Sequence, residues 1–338
     1  MKIVSISLLV QRLLFFICML FSMVPYESFS QFKDNQNQSP CTHYSGFNYF
    51  LDNALGMTEL EALEKARNMP LIKKSHTINY GHTLRSVWVY LKVDKIKNID
   101  LDKSECIFDL ANPLLDEIIF YFVHKKDINK VTTMGDKHDF SNRFLAPRTY
   151  AIPFSVLAAN KYVTQQEYLF KVSNTSTMVI PLKIKDTYKY WYKILLDYII
   201  LGLFYGMFAT FIYTGWTNYS VYKNAGHLLY SLYAFFMMIF FMSRDGIVTQ
   251  FLLQNSGPWK LQIPRFFISA AMLSGIYYYL KFFKTYSKWI SNAIKIYITI
   301  NLIYCSIIFF LDSSETYIPT YFIVLSAPIL MILLSLYT

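Results

Sequence analysis

YIILGLFYGMFATFIYTGW, residues 198–216, carries no charged side chain. At about 1.5 Å per residue, a helix of this length crosses roughly the 30 Å hydrocarbon core of a bilayer. Most of the charged residues precede it, and the chain after it is almost wholly apolar and aromatic. We therefore predict that this stretch is the first transmembrane helix and the boundary between a water-soluble part and a membrane part.

The composition of the 338-residue chain is typical of a protein that lies about half in lipid. It is 54% hydrophobic and 18% aromatic, with a mean hydropathy of +0.29, which is too apolar for an ordinary soluble protein. The net charge of +10 is spread along the chain. No dense basic face is visible, so the bilayer is a predicted partner and nucleic acid is not.

Five runs of membrane-spanning length are predicted within residues 191–338, at 198–216, 225–242, 266–283, 293–311 and 318–337. The loop after the third run carries Lys281, Lys284 and Lys288 and no acid, whereas the loop after the fourth is the acidic DSSET. Because positively charged loops remain in the cytoplasm, the domain before the first run is predicted to lie outside. The prediction is a multi-pass protein of a bacterial inner membrane with a periplasmic N-terminal domain.

Residues 1–30 are typical of a secretory signal peptide. A short apolar core at 13–24 follows the basic residues, and small residues precede a cleavage site before Gln31. The core is shorter than a membrane span, which favours cleavage. An uncleaved anchor is the alternative.

Residues 31–190 have the pattern of a β-sandwich preceded by a helix. Residues 58–69 predict the helix, with Thr58 and Glu61 as a capping box and Leu60, Leu63 and Ala66 on one apolar face. Short runs rich in β-branched and aromatic residues predict strands at 87–93, 107–110, 118–123, 149–154, 168–172 and 178–184. Strands at this spacing favour an antiparallel sandwich.

No catalytic, metal-binding or cofactor-binding motif stands out in the sequence. It lacks a Gly-rich phosphate loop, HExxH, CxxC and GxSxG, so we predict neither an enzyme nor a cofactor. The spans hold few ionisable residues, which argues against a transporter. Asp197 and Arg265 lie at span boundaries. An interfacial position is the simpler interpretation for both, and a proton relay or a paired mouth between spans is the alternative.

A series of short motifs runs in order through the strand region and the first spans. The motifs are NYG (79–81) followed by SVWVYL (86–91), LANPLLDEI (110–118), GD (135–136) with Phe140 and Arg143, YAIP (150–153), YLFKV (168–172), IPL (180–182), GLFYG (202–206), DG (245–246) and QFL (250–252). Together they resemble the 7TMR-DISM family, bacterial seven-transmembrane receptors with diverse intracellular signalling modules. The resemblance covers about residues 50–310.

The resemblance implies a jelly-roll ectodomain similar to carbohydrate-binding modules, a seven-helix bundle and a cytoplasmic output module. The sequence shows five spans and no output module. We expect a truncated chain, and a separate cytoplasmic signalling partner is the alternative.

Three residues of the motifs are candidate ligand contacts, namely Trp88, Asp136 and Arg143. Trp88 could stack on a sugar ring, although a core position is the simpler interpretation for a tryptophan on a strand. Asp136 and Arg143 could pair and hold a hairpin, or contact a ligand. Gly81 and Gly135 are predicted at turns that need a positive φ.

Two further pairs of residues are predicted to make structural contacts. Gly202 and Gly206 have the small-xxx-small spacing that lets another helix approach closely, within the bundle or in a homo-oligomer. Cys41 and Cys106 are the cysteines of the soluble part, and a periplasmic location permits a disulfide between them.

We therefore predict a membrane receptor whose periplasmic domain binds a small ligand, with carbohydrate as the implied class. Signal transduction would run through the transmembrane helices. The alternatives are a transporter or channel subunit and a membrane-anchored adhesion or scaffold protein.

Overall fold

The computed structural model describes residues 44–52, 56–72, 76–94, 106–124, 127–153, 165–255, 257–281 and 288–336. The predicted signal peptide at 1–30 and Cys41 lie outside these ranges. Cys106 is disulfide-bonded and Cys305 is a free thiol. The pairing of Cys41 with Cys106 stays a prediction.

Among the described residues, nine strands form two antiparallel sheets in the N-terminal domain. They are β1 (Tyr44–Leu51), β2 (His76–His82), β3 (Val87–Asp94), β4 (Cys106–Leu110), β5 (Glu117–His124), β6 (Asp127–Met134), β7 (Tyr150–Pro153), β8 (Gln165–Ser173) and β9 (Thr177–Asp186). One sheet has the order β1-β3-β8-β5-β6 and the other β2-β9-β4-β7. All six predicted strands are confirmed. The three strands that were not predicted, β1, β2 and β6, are all edge strands, where the apolar alternation that marks a strand is weak.

The main core lies between the two sheets and is rich in aromatic rings. Phe170 of β8 stacks on Phe108 of β4 at 5.4 Å and on Phe120 of β5 at 4.8 Å between ring centroids. Aliphatic side chains of β3 complete the layer, at Val87, Val89 and Leu91. Burying such side chains contributes about 1.5–3 kcal/mol each, so this layer holds the sandwich together.

Helix α1 (Glu59–Arg67) covers the opposite face of the five-stranded sheet. Thr58 caps it and exchanges hydrogen bonds with Glu61, which confirms the capping box. Its buried side chains pack on Trp88, Tyr90 and Leu169 of the sheet, and they are Ala62, Leu63 and Ala66. Leu60 was expected on this face but is 55% exposed, because the buried row is centred on residues 62 and 66.

Five long helices follow the sandwich. They are α2 (Thr187–Tyr222), α3 (Ala225–Arg244), α4 (Ile263–Leu280), α5 (Lys288–Ile307) and α6 (Ser313–Leu336). Among the described residues four helices, all but α4, are long and apolar enough to cross a membrane. Helix α4 has 18 residues, includes Arg265 and packs against α3, α5 and α6. Because other helices cover several sides of α4, less of its surface has to be apolar in order to face lipid.

Helix α2 begins eleven positions before the predicted span, directly after β9. Asp186 ends the strand and caps the helix, because its carboxylate accepts hydrogen bonds from the backbone of Tyr188 at 2.9 Å and of Lys189 at 3.4 Å. The sandwich is therefore joined to the first span by continuous helix. The predicted span at 198–216 lies inside this longer helix.

Gly202 and Gly206 do not approach another helix within the described part of the chain. Both are exposed, and a Cβ atom at either position would meet nothing within 4 Å. The close approach occurs about two and a half turns after Gly206, where a Cβ at Gly215 would lie 2.9 Å from Ser231 Cβ on α3. Among the described residues Gly202 and Gly206 do not make the predicted contact, and their packing against another helix stays a prediction.

We predict that Gly215→Leu destabilises the packing of α2 on α3, whereas Gly206→Leu does not. Forcing a side chain into the Gly215 contact is overpacking, which lowers the free energy of unfolding by about 1–3 kcal/mol. The measurement is the thermal unfolding midpoint of each full-length variant in lipid nanodiscs. Equal midpoints for the two variants would contradict the assigned packing.

Candidate functional site

Several contacts join the sandwich to the helices, and we call them together the junction. The sandwich contributes the loop between β6 and β7, residues 135–149. The membrane part contributes the first turns of α2 and the segment between α3 and α4, residues 245–262.

A buried cluster around Arg143 organises the loop between β6 and β7. The guanidinium donates to Arg148 O at 2.7 Å, to the Tyr150 hydroxyl at 3.1 Å and to Asp136 Oδ1 at 3.5 Å. It also lies over the rings of Phe140 and Tyr150, at 4.4 and 4.2 Å from their centroids. Gly135 begins the loop with a φ of +133°, and a Cβ there would lie 2.2 Å from Asp116 O, so the tight start of the loop requires glycine.

The Asp136 carboxyl has weak polar support for a buried group. Its contact with Arg143 is long, and the Tyr150 hydroxyl lies 3.3 Å from it but also faces Pro113 O and Leu115 O at 3.3 and 3.2 Å. One phenol proton cannot satisfy three acceptors. Burial raises the pKa of Asp136 to about 7, against the opposing effects of Arg143 and Lys260.

Arg148 extends from this loop into the membrane part. Its side chain is 3% exposed and lies 3.6 Å from the Asp197 carboxylate of α2. The guanidinium also donates to Asp245 O, at the end of α3, at 3.2 Å. The Tyr205 hydroxyl of α2 donates to the Asp245 carboxylate. One sandwich arginine therefore contacts two helices that also contact each other.

The segment between α3 and α4 is hydrogen-bonded to the loop between β6 and β7. Phe140 N donates to Gln254 O at 3.0 Å, and Lys260 Nζ donates to His138 O at 2.8 Å. Gln250 Nε2 donates to Ala146 O at 3.0 Å. Each of these bonds is accepted by a backbone carbonyl, and one of them is donated by the charged side chain of Lys260.

Gly246 lets this segment approach the sandwich closely. Its φ is +76°, and a Cβ there would lie 2.9 Å from Pro113 Cβ. Both the backbone conformation and the space at this position therefore favour glycine.

The first turns of α2 pack on the outer face of the four-stranded sheet. Tyr190 and Ile194 are buried there against Ile107 of β4 and Ala151 of β7. The two helix residues are four positions apart and so lie on one face. This apolar contact holds the start of the first span on the sandwich.

A second, smaller contact joins the sandwich to α6. The ring of His82 on β2 stacks on Tyr317, with centroids 4.7 Å apart and an interplanar angle of 4°. The hydroxyls of Thr177 and Tyr317 lie 3.4 Å apart. Both contacts are near the surface.

Arg265 joins a polar network at the same end of the bundle. It donates to Gln262 Oε1 and to Thr316 Oγ1, each at 3.0 Å, and Gln262 donates to Leu311 O at 2.8 Å. The network links α4 to α6, and one nitrogen of the Arg265 guanidinium makes both of its bonds. Arg265 therefore lies at a contact between helices.

The three candidate ligand contacts are buried. Trp88 lies under α1, close to Tyr121 and Lys171, with no face open to a sugar. Asp136 and Arg143 pair with each other, as one of the two interpretations expected, and Gly81 and Gly135 have positive φ. Their assigned roles in binding a ligand receive no support from these positions.

The sequence does not reveal the residues that build the junction across the two parts. Arg148 and Lys260 belong to none of the motifs, and Gln250 belongs to the QFL motif without any sign of its partner. Asp197 was expected at the outer edge of the first span. It lies opposite Arg148, and its position at a membrane interface stays a prediction. Within the described ranges, no group of three or more His, Cys, Asp or Glu residues is placed to hold a metal ion.

Comparison with known families gives two matches that together cover most of the chain. A family model described as 7TMR-DISM extracellular 2 matches residues 48–186. A second model, described as 7TM diverse intracellular signalling, matches residues 197–338. A search of curated proteins gives no match. The boundary between the two matches, residues 187–196, is the part of α2 that packs on the sandwich.

We predict that Asp136 makes the stability of the sandwich depend on pH. Because its pKa is raised from 3.8 to about 7, the folded protein holds a proton that the unfolded chain releases. The resulting stabilisation of the folded state is complete below about pH 4 and is lost as the pH rises to about 7. The free energy of unfolding falls by about 4 kcal/mol at most over this range. The measurement is the unfolding midpoint of the full chain in nanodiscs between pH 4 and 8.

The variant Asp136→Asn keeps the neutral form and should remove this part of the pH dependence. Asp139→Asn, in an exposed position of the same loop, is the matched control and should keep it. A pH profile of Asp136→Asn that runs parallel to the parent's would show that this carboxyl does not titrate in the range.

Proposed function

The chain belongs to the 7TMR-DISM receptor family, and on that premise we propose that its sandwich is a ligand sensor whose state reaches the helices through the junction. Membership makes the protein a membrane receptor with an extracellular domain and a transmembrane region. The proposal adds that a small ligand binds the sandwich and that binding changes the packing of the helices.

The position of Arg148 is the main observation that supports the proposal. Its buried guanidinium is held by the carboxylate of Asp197 and the carbonyl of Asp245. A buried charge that loses its partners destabilises a protein strongly, by about 3–5 kcal/mol. A movement of the sandwich must therefore either carry the ends of α2 and α3 with it or find new partners for this charge. That requirement is the physical basis for coupling.

A ligand can use this coupling only if it binds one arrangement more tightly than the other. Coupling free energies of about 1–3 kcal/mol are typical of such systems. Asp186 supports the proposal as well, because continuous helix from β9 into α2 leaves no flexible linker to absorb a movement.

The proposed ligand class is carbohydrate, bound by a jelly-roll domain similar to carbohydrate-binding modules. Two packed antiparallel sheets support this class of fold. Tyr80 replaces Trp88 as the proposed stacking residue, because it is 36% exposed and lies beside Tyr49 with ring centroids 6.5 Å apart. Aromatic rings are the usual apolar platform for a polar ligand in such sites.

The proposal also includes an orientation and a partner. The sandwich would lie in the periplasm after removal of the signal peptide, with the helices in the bacterial inner membrane. A cytoplasmic signalling partner would receive the change in helix packing.

We expect Arg148→Gln to loosen the junction while the sandwich stays folded. Hydrogen–deuterium exchange of residues 245–262 in the full chain should become at least about tenfold faster, because the variant loses both the charge and the reach of arginine. Exchange of the β3 and β8 amides should not change. Arg85→Gln, at an exposed position before β3, is the control. Unchanged exchange at 245–262 would show that Arg148 does not hold the junction.

A screen of glycan classes tests the ligand half of the proposal. A saturating ligand that binds only the folded protein stabilises it by about 2.7 kcal/mol at a concentration of 100 Kd, so a cognate glycan should raise the unfolding midpoint by several degrees. Tyr80→Ala should abolish this shift, whereas Leu84→Ala, another exposed apolar residue, should keep it. A folded parent that no glycan class stabilises would exclude carbohydrate, and the receptor assignment would stand.

A further inference from the structure

An excess of positive charge surrounds one buried carboxylate where the four-stranded sheet meets α2. Asp109 of β4 pairs in register with Lys183 of β9, and Lys185 lies two residues further along the same face of that strand. Lys193 approaches from α2. All three ammonium groups act on the Asp109 carboxylate, which is buried. Lys185 and Lys193 alone bring two positive charges to this one carboxylate.

Lys185 is the lysine of this cluster whose charged form is destabilised. Burial lowers its pKa to about 8, and the repulsion of Lys193 adds to the effect against the attraction of Asp109. Among the described ion pairs, no carboxylate lies within 4 Å of Lys185 or Lys193. An anion placed between the two ammonium groups would relieve the repulsion.

The length of α2 places this cluster at the level of lipid headgroups. Its 36 residues extend about 54 Å, whereas the hydrocarbon core is roughly 30 Å thick. The uncharged residues 198–216 fit the core, so the turns before them lie at the outer boundary. Exposed aromatic side chains mark these turns, with Tyr188 77% exposed, and tyrosine and tryptophan concentrate at membrane interfaces.

The side chains are arranged around α2 in three adjacent rows. Tyr190 and Ile194 face the sheet, Lys189 and Lys193 form the next row, and exposed Tyr188 and Tyr192 stack on each other at 6.5 Å beyond it. Residues four apart share a helix face. Lys193 therefore lies on a face of α2 between the side that packs on the sheet and the side that carries the exposed tyrosines.

We propose that Lys185 and Lys193 bind the phosphate of an anionic membrane phospholipid at this corner of the junction. The aromatic side chains of the same turns would pack against its glycerol and upper acyl chain. The charge excess argues for an anion, and the exposed aromatic rings beside it argue for a lipid rather than free phosphate. The site does not depend on the proposed ligand of the sandwich.

The experiment measures which lipids stay with the full chain. The parent is reconstituted in nanodiscs of phosphatidylcholine with phosphatidylglycerol, extracted in mild detergent and examined by native mass spectrometry. We expect phosphatidylglycerol to be retained in preference to phosphatidylcholine. The double variant Lys185→Gln/Lys193→Gln should lose about tenfold or more of that preference, since each lysine near the headgroups contributes about 1 kcal/mol.

Two control variants separate the site from general charge and from misfolding. Lys281→Gln/Lys288→Gln, at the opposite end of the bundle, should retain the parent's preference. Lys185→Arg/Lys193→Arg keeps both charges and should retain it as well. Equal retention by the parent and the Gln double variant would overturn the proposal, as would loss of phosphatidylglycerol on addition of inorganic phosphate at millimolar concentration, which would assign the site to the free anion.

Discussion

The guanidinium of Arg148 is the interaction on which the relation between the two halves of this receptor depends. A charge in a site that is 3% exposed must be paired, because removing a charged group from water is expensive unless partners replace the water. Those partners belong to α2 and to the end of α3. The sandwich therefore cannot adopt an arbitrary position above the helices, and the loop between β6 and β7 is bound to remain in contact with them.

The cluster of Arg143, Tyr150 and Asp136 supports Arg148 from the side of the sandwich. Arg143 donates to the backbone carbonyl of Arg148 itself, so the orientation of one arginine depends on the other. Burial that raises the pKa of Asp136 toward neutrality means that the charge balance of the cluster can change within the ordinary range of pH. The residues that position Arg148 thus include a carboxyl whose pKa lies near neutrality.

The sequence was a good guide where structure follows from local pattern. The capping box at Thr58 and Glu61 and the six predicted strands are present, because capping and apolar alternation are properties of neighbouring residues. Helix α2 begins before the predicted span, because its first turns contain lysines and tyrosines that do not look like a membrane span. The contacts of the junction could not be predicted, since Arg148 and Asp245 are 97 residues apart and the DG motif that includes Asp245 does not reveal its partner. The error at Trp88 is of the opposite kind. This residue was a candidate ligand contact because it belongs to a motif, but it lies in the core.

The contacts of the junction differ in strength, and the difference suggests how a movement would proceed. The contact with α2 combines the apolar packing of Tyr190 and Ile194 with the buried charge of Arg148. The contact with α6 consists of one ring stack and one hydroxyl pair near the surface, each worth about 0.5–1.5 kcal/mol. If the sandwich moves, the α6 contact should break first while the α2 contact holds. The sandwich would then pivot about the start of α2, and the change would reach the bundle as a tilt of that helix relative to α6.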